Sequence, residues 1–235
     1  MNPTPVRTPA GLVPAEFVQP VAVTEEQRRT LSMAASLLLA YPEEDGVFLD
    51  KLDAVETQLD QLPEEIAGEF RSFLAAARQF GERAMAEHYV STFDQRRRCS
   101  LFLSYYSVGD TRQRGAAILA FRQGLAQLGL EEVTDELPDH LCVVLEAVAR
   151  TEGDAHAAAV EFIAAHRDGV EVLRSALAST GSPYVSLIVA VCMGLPRVDE
   201  DTANSYIDLI RSGPPAEMVG INAQLPFPSA QPDLI

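Results

Sequence analysis

Two carboxylates and an imidazole lie within five positions of one another in the sequence Glu-Leu-Pro-Asp-His. Glu136, Asp139 and His140 are residue types that bind metal ions and transfer protons, so together they suggest metal-dependent hydrolysis. A metal site needs at least three convergent ligands, however, and the other histidines of the chain occur singly. The alternative is structural: Pro138 begins a helix and Asp139 stabilises the positive end of its dipole. From the residues alone we favour the structural interpretation.

No other catalytic pattern is present in the sequence. A nucleophile elbow, a phosphate-binding loop and a dinucleotide-binding glycine motif are all missing. The three cysteines, Cys99, Cys142 and Cys192, are far apart, so they predict neither a disulfide framework nor a zinc site. This cysteine usage is typical of a reducing cytoplasm. The sequence therefore predicts a cytoplasmic protein without an enzyme site that these residues would assemble.

The charge of the chain restricts the classes of partner. Its formal net charge is −16, and 17 of its 18 basic residues are arginine. Phosphate backbones would be repelled, so nucleic acid is not the expected ligand, whereas a cationic partner is. The run Arg96-Arg97-Arg98 is interpreted as a solvated turn at a helix end, where it offsets the helix dipole. No apolar run approaches the roughly 20 residues that span a bilayer, so no membrane insertion is expected.

Apolar residues recur at helical spacing along most of the chain, and no stretch alternates as a strand would. The chain has 235 residues, which is long enough for one well-packed domain. The pattern predicts an all-α, single-domain bundle of about eight to ten helices at residues 24–212. Mobile, proline-bearing tails are expected at residues 1–23 and 213–235.

Several of these helices must position the residues whose side chains could bind a ligand or take part in a reaction. They are expected at 99–108, after Asp110 to about Leu128, from Pro138 onward, at 154–179 and, as a short element, at 202–211. The helix at 99–108 is apolar almost all round and carries Tyr105 and Tyr106. Such a helix either lies in the centre of the core or lines a groove that receives an amphipathic segment of another chain. The residues alone leave both interpretations open.

Arg28 and Arg29 precede the apolar run LSMAASLLLA, an order that resembles a twin-arginine export signal. Two glutamates stand just before the pair, where an export signal carries positive charge. The apolar residues also recur at helical spacing. We therefore expect the pair to lie on an amphipathic helix that Thr24 and Gln27 begin as a capping box.

The stretch from Tyr89 to Glu146 carries motifs that resemble a known family. It reads YV-x-TFD-x-RRRCSL-x-L-x-YY-x-x-GDTR-x-RG, with ELPDHL and LE further on, and SPY follows at residues 182–184. The combination is similar to the NarJ-type chaperones, also called delta subunits of respiratory nitrate reductase, within the TorD-like group. The resemblance covers about residues 28–196.

This resemblance implies an all-helical, non-catalytic protein of the cytoplasm. Such chaperones bind the N-terminal segment of the apo alpha subunit of a membrane-bound nitrate reductase until the molybdenum cofactor is inserted. The cofactor then belongs to the client, and proteins of molybdenum cofactor biosynthesis are further implied partners. Carried over onto this sequence, client handling is assigned to Asp94, Tyr105, Tyr106, Gly109, Asp110, Arg112, Arg114, Glu136, Pro138, Asp139 and His140.

The mechanism expected from this assignment is docking of the client peptide as a short amphipathic helix. Contacts to its apolar face are expected at Leu101, Leu103, Tyr105 and Leu141. Contacts to its basic residues are expected at Asp110, Glu136 and Asp139.

Three alternatives to this function stay open. The first is a related chaperone that serves a dimethyl-sulfoxide or trimethylamine-oxide reductase. The second is a metal-dependent hydrolase that uses Glu136, Asp139 and His140. The third is a helical scaffold with a purely structural role.

Overall fold

The structure is a computed structural model that describes residues 17–131 and 136–197. In these ranges the chain forms ten α-helices. They are α1 (Glu25–Leu39), α2 (Val47–Glu56), α3 (Glu64–Phe80), α4 (Glu82–Tyr89), α5 (Ser104–Val108), α6 (Arg114–Gln127), α7 (Leu141–Arg150), α8 (Gly153–Ala164), α9 (Arg167–Thr180) and α10 (Tyr184–Gly194). The prediction of an all-α bundle is confirmed.

Helices α1 and α10 form the centre of the bundle. Helix α1 lies against α7, α10 and α2, and α10 also contacts α3 and α9. Because α10 is surrounded in this way, most of its residues are buried, among them Tyr184, Leu187 and Ile188. From α3, Phe70 and Phe73 are completely buried in the same core. Burial of each such side chain contributes about 1.5–3 kcal/mol to folding.

Helix α1 begins as the sequence predicts. Oγ1 of Thr24 accepts a hydrogen bond from the amide of Gln27 at 3.2 Å. In return, Oε1 of Gln27 accepts one from the amide of Thr24 at 3.0 Å, which completes the capping box.

The two arginines that resemble an export signal join α1 to the ends of two other helices. Nε of Arg28 donates to the carbonyl oxygen of Gly194 at 2.8 Å, and Nε of Arg29 donates to that of Ala149 at 2.9 Å. These carbonyls lie at the C-terminal ends of α10 and α7, where helix carbonyls lack an amide partner of their own. Arg29 also forms an ion pair with Glu152 at 2.7 Å. Both arginines therefore have a structural use within this fold.

Residues 17–23 differ from the mobile tail that the sequence predicts. They run beside the bundle, with Val18 and Val21 packed against its core. The amide of Val21 donates to the carbonyl oxygen of Met193 at 2.9 Å. The apolar side chains on both sides of Pro20 allow this segment to pack against the core without forming a helix.

Residues 1–16 of the predicted N-terminal tail and the whole predicted C-terminal tail, residues 213–235, lie outside the described residues. The short helix expected at 202–211 and residues 132–135, between α6 and α7 in the chain, lie outside them as well. Within the described ranges, no helix is both long and apolar enough to cross a lipid bilayer.

The long helix expected at 154–179 consists of two helices, so this prediction was wrong. Helix α8 ends at Ala164 and α9 begins at Arg167, with His166 at φ −110° and ψ 18° between them. The imidazole of His166 stacks on the ring of Phe121 from α6, with centroids 4.6 Å apart. The apolar spacing continues on both sides of the break, so the sequence pattern alone does not reveal it.

The helix expected at 99–108 was also wrong, because α-helical structure is limited to α5. The segment before α5 pairs as an isolated antiparallel bridge with the segment before α7. In this bridge the amide of Leu103 donates to the carbonyl oxygen of Asp139, and the amide of Leu141 donates to that of Leu101, both at 2.8 Å. An extended segment that is buried on both sides is as uniformly apolar as a buried helix, so composition does not distinguish them.

Helix α7 begins at Leu141 rather than at Pro138. His140 occupies the N-cap position, where its Nδ1 accepts a hydrogen bond from the amide of Cys142 at 3.3 Å. The bridge keeps the preceding backbone extended, so Pro138 and Asp139 come before the helix. Asp139 therefore lies just before the N-cap of this helix rather than in its first turn.

Candidate functional site

Two irregular segments, residues 99–110 and 136–141, meet through the antiparallel bridge. We call the region that these two segments form, including its buried side chains, the turn face. Most of the predicted site residues lie on these two segments, but their burial separates them into an interior group and an exposed group.

The interior group does not reach the surface in this conformation. Leu101, Leu103 and Leu141 are 3% exposed or less and belong to the hydrophobic core. Pro138 and Asp139 are also buried. The apolar contacts expected at the three leucines and the charge contact expected at Asp139 therefore need correction, because these side chains contact the protein itself.

Asp139 links the two segments of the turn face from the inside. Its Oδ2 accepts a hydrogen bond from Oγ of Ser104 at 2.5 Å, and both residues are 0% exposed. Oδ1 of Asp139 has no hydrogen-bond partner among the residues that the structure describes. Because a buried polar atom without a partner costs free energy, this carboxylate is a weak point of the interior.

Glu136, Asp139 and His140 do not converge on a common point. Glu136 is exposed, and its Oε1 accepts a hydrogen bond from the amide of Leu137 at 3.1 Å. The other two side chains serve the hydrogen bond and the helix cap described above. In the described parts of the chain, no group of three or more His, Cys, Asp and Glu side chains is arranged to hold a metal ion. The proposed hydrolase therefore has no metal site at these three residues.

The two adjacent tyrosines have different environments. Tyr106 is buried, and its hydroxyl can donate to the carbonyl oxygens of Ser100 and Arg98, at 2.8 and 3.2 Å. Its side chain lies so close to Gly169 of α9 that a Cβ atom there would come within 2.9 Å of it. Tyr105 is half-buried against the edge of the core. The core interpretation therefore applies to Tyr106, whereas Tyr105 keeps a surface that a partner can contact.

The other predicted site residues form the exposed group. Exposed side chains occur at Asp94, Asp110, Arg112 and Glu136, and Arg114 is half-buried. Gly109 ends α5 with φ at 61°, a value that favours glycine, so it shapes the turn and offers no side chain to a partner.

Arg114, Phe102 and His140 form a stack that the sequence does not reveal. The guanidinium carbon of Arg114 lies 5.2 Å from the centroid of the Phe102 ring, within the range of a cation–π interaction. The imidazole of His140 meets the same ring edge-on, with centroids 5.1 Å apart. Burial lowers the pKa of His140, although Glu136 and Asp139 act in the opposite direction. Only the extended pairing of the two segments brings these side chains together.

A second group that sequence reasoning missed surrounds His88. Its Nε2 lies 2.8 Å from Oγ of Ser182, and its ring stacks on that of Tyr184 with centroids 6.0 Å apart. Burial, and to a smaller extent Arg96, lowers the pKa of His88. Ser182 and Tyr184 belong to the SPY motif, which is the signal that could have indicated this group.

Glu171 of α9 lies in a buried ionic group that was also missed. Its two carboxylate oxygens accept hydrogen bonds from Nε of Arg167 at 3.1 Å and from Nε of Arg174 at 2.6 Å. Arg167 also donates to the carbonyl oxygens of Val18 and Pro196, each at 3.3 Å. The spacing of these charges along α9 predicts the pairing but not its burial.

Two cavities lie mainly outside the turn face. The larger one, about 520 Å³, lies between α1 and α2, where Met33, Leu37 and Val55 line it together with Glu26. The smaller one, about 320 Å³, lies between residues 96–99 and α9.

Comparisons with known proteins identify similar chains. The family described as "Nitrate reductase delta subunit" matches residues 56–190. "Nitrate reductase-like protein NarX" from two strains of Mycobacterium tuberculosis is 32% identical over 158 residues. That alignment covers 67% of this chain, which thus spans only 23% of the length of these relatives.

A relative of similar length comes from Bacillus subtilis strain 168. It is named "Probable nitrate reductase molybdenum cofactor assembly chaperone NarJ" and is 27% identical over 176 residues, which cover 74% of this chain and 92% of the relative. Among solved structures, a "putative redox enzyme maturation protein" from Archaeoglobus fulgidus superposes with a TM-score of 0.52 at 22% identity. The superposition covers 73% of this chain and 95% of the other, so the two share a fold.

Proposed function

Because the family match covers more than half of its length, this chain belongs to the nitrate reductase delta subunit family, and we propose that it is an assembly chaperone for a membrane-bound nitrate reductase. The proposed client is the apo alpha subunit, whose N-terminal segment the chaperone holds until the molybdenum cofactor is inserted. In this proposal the client binds the cofactor, and the chaperone catalyses no reaction. The site of action is the cytoplasm, before membrane attachment, with proteins of molybdenum cofactor biosynthesis as further partners.

The observation that supports this function best is the composition of the turn face, which lies within the matched residues 56–190. It presents the half-buried ring of Tyr105 on a segment that also carries the exposed carboxylate of Asp110. Glu136, which acts on the pKa of His140, adds a second carboxylate to the same face. A basic amphipathic helix has the complementary surface, with apolar side chains for the ring and cationic ones for the carboxylates.

Titration calorimetry with a synthetic peptide of the alpha-subunit N-terminus tests this proposal. The double variant Tyr105→Ala with Glu136→Lys removes the aromatic contact and reverses one charge. We expect its affinity to fall by about tenfold or more, because buried aromatic contacts dominate binding energies. Added salt should weaken binding to the wild-type chain, since exposed charges are screened.

The matched control is Tyr41→Ala with Glu44→Lys. Tyr41 is 48% exposed, and together with Glu44 it lines a different surface depression near α4. The same residue types change, so peptide affinity should stay at the wild-type value, and circular dichroism should show an intact fold for both variants. Absence of peptide binding to the wild-type chain would contradict the proposed function. Equal losses in both variants would instead remove the turn face as the docking surface.

The cavity between α1 and α2 is a second docking location for the same client. This cavity has a volume of about 520 Å³, and its apolar side chains also suit one face of a short helix. Helix α1, however, lies outside the matched residues 56–190. Leu37→Lys places a charge in this cavity. If Leu37→Lys abolishes peptide binding while the turn-face variant binds normally, the docking surface is this cavity and not the turn face. The proposed function would be unaffected by that result.

The identity of the client is tested by competition. Peptides from the N-termini of dimethyl-sulfoxide and trimethylamine-oxide reductases should displace the nitrate reductase peptide poorly. Cells that lack this chain should accumulate nitrate reductase without molybdenum cofactor. Normal maturation of the enzyme in such cells would refute the proposal.

A further inference from the structure

Three consecutive arginines line the smaller cavity of this acidic chain. Arg96, Arg97 and Arg98 lie on the turn before α5, and with the last turns of α9 they enclose about 320 Å³. We call residues 96–98 the arginine turn. No carboxylate from the described residues is among the side chains that line this cavity. In a chain of net charge −16, the cavity is therefore a local concentration of positive charge.

Many other arginines of the chain already have an acidic partner. Arg71 pairs with Glu64 at 2.6 Å, for instance, and Arg150 pairs with Glu146 at 3.0 Å. In the part of the chain that the structure describes, no residue of the arginine turn forms an ion pair. Asp94, although only two positions away, is exposed and does not reach the turn within ion-pair distance.

Compensation of a helix dipole accounts for Arg96 alone, whose Nε donates to the carbonyl oxygen of Ser91 in the helical segment just before the turn, at 3.2 Å. The arginine turn also lies beside the C-terminal end of α9, where two of the last carbonyls have amide donors. The amide of Gly181 donates to the carbonyl oxygen of Ala178, and the amide of Ser182 donates to that of Leu177, both at 3.1 Å. Nε of Arg96 donates back within its own segment, and no described hydrogen bond joins the arginine turn to a carbonyl of α9.

The backbone of the arginine turn is held in a fixed position. The amide of Cys99 donates to the carbonyl oxygen of Arg96 at 2.9 Å. The buried hydroxyl of Tyr106 lies within hydrogen-bond distance of the carbonyl oxygens of Arg98 and Ser100. A preformed site loses little conformational entropy when a ligand binds, so this anchoring favours recognition.

The lining of the cavity defines the class of ligand. Guanidinium groups bind phosphate oxygens through paired, charge-assisted hydrogen bonds. Val172 and Ala176 of α9 offer an apolar wall, and Ser175 and Ser179 carry hydroxyls beside it. A volume of about 320 Å³ is at the lower end of small-molecule sites, so a small organic group fits in addition to a phosphate.

We propose that this cavity binds a small phosphate ester, with the phosphate group at the arginine turn and the organic group against α9. This inference does not depend on the proposed chaperone function, because it concerns a ligand that binds in the absence of the client. It also accommodates the negative net charge of the chain, which disfavours long polyanions such as nucleic acids but leaves a local site for a small anion.

Calorimetric titration of the full chain with adenosine monophosphate, glycerol phosphate and inorganic phosphate tests the proposal. We expect saturable binding of one ester per chain, tighter than the binding of inorganic phosphate. The double variant Arg97→Gln with Arg98→Gln should lower the affinity by about tenfold or more, because it removes charge-assisted hydrogen bonds.

The matched control is Arg83→Gln with Arg150→Gln. These side chains are 88% and 57% exposed and do not line the cavity, yet the net charge changes by the same amount. The control should bind the ester as the wild-type chain does. Three outcomes would overturn the proposal: no saturable binding up to about 10 mM ester, equal losses in both double variants, or tighter binding of a glutamate-rich peptide than of either ester.

Discussion

Two completely buried carboxylates have opposite environments in this protein. Glu171 lies on α9 between Arg167 and Arg174, and each of its oxygens accepts a hydrogen bond from a guanidinium. Asp139 lies in the turn face with the hydroxyl of Ser104 as its hydrogen-bond donor, and its second oxygen has no partner in the described residues. Both oxygens of the first carboxylate are therefore paired with cations, whereas the second carboxylate has no cationic partner in the described residues.

The same contrast holds for the elements around the two carboxylates. Glu171 belongs to a bundle of long helices whose apolar faces are buried against one another. Asp139 belongs to a bridge, a five-residue helix and several turns. Regions with few regular elements open at lower free energy, and partner-binding surfaces are drawn from such regions. We therefore expect the turn face to open at a lower free energy than the helical bundle.

The substitution Glu171→Gln should cause the largest loss of stability. It leaves Arg167 and Arg174 buried without the carboxylate that they share, so we expect the free energy of unfolding to fall by about 3–5 kcal/mol. Urea denaturation followed by circular dichroism measures this change. The matched control is Glu146→Gln, whose partner Arg150 is 57% exposed, and it should cost about 0.5 kcal/mol or less. A loss for Glu171→Gln as small as that of the control would break the comparison.

Gly169→Ala should have the next largest effect. The new methyl group would collide with Tyr106, including its Cβ atom, which a rotation of the side chain does not remove. We expect a loss of about 1–3 kcal/mol, with faster hydrogen exchange in the turn face because the hydroxyl of Tyr106 lies within hydrogen-bond distance of the carbonyl oxygens of Arg98 and Ser100. The control is Gly68→Ala in α3, where a Cβ meets nothing within 4 Å. It should stabilise the protein by about 0.5–1 kcal/mol.

Asp139→Asn should change stability less than either substitution. The amide oxygen can still accept the hydrogen bond from Ser104, and the poorly compensated charge disappears. The two effects oppose each other, so we expect a net change of about 1 kcal/mol or less in the urea denaturation experiment. A loss equal to that of Glu171→Gln would show that the two carboxylates are equivalent.

The pH dependence of stability should show the smallest effect. Burial lowers the pKa values of His88, His140 and His166 from the usual 6.5. The unfolded chain therefore binds protons first, and the free energy of unfolding should be highest above pH 6.5 and fall as the pH drops below it. Urea midpoints at about pH 7.5 and 5.5 measure this slope. His140→Asn keeps a cap acceptor for α7 and should reduce the slope, and an unchanged slope would exclude His140 from the effect.

Elements with local signals were predictable from the sequence. Helix α1 begins at the Thr24–Gln27 box, and α3 lies between a proline and Gly81, as its capping residues indicate. The break at His166 and the bridge before α5 were not predictable. Both depend on side chains or backbone groups that are distant in the sequence, such as Phe121 for the imidazole of His166.

The candidate site follows the same division. Residue types and spacing correctly placed most of the predicted site residues on two neighbouring segments. They did not show that Asp139 points inward, because its donor, Ser104, is 35 positions away. They also did not show that Tyr105 and Tyr106 differ in burial, since the helix expected there would not distinguish them.

The guanidinium of Arg167 binds the carbonyl oxygens of Val18 and Pro196 at the same time, each at 3.3 Å. By covalent dimensions the two oxygens are within about 9 Å of each other. A linker of a few residues could therefore join these two positions. The new N- and C-termini could then be placed at an exposed turn elsewhere in the chain. A circular permutant built in this way should keep the bundle, because the packing of its helices does not require their present order in the polypeptide.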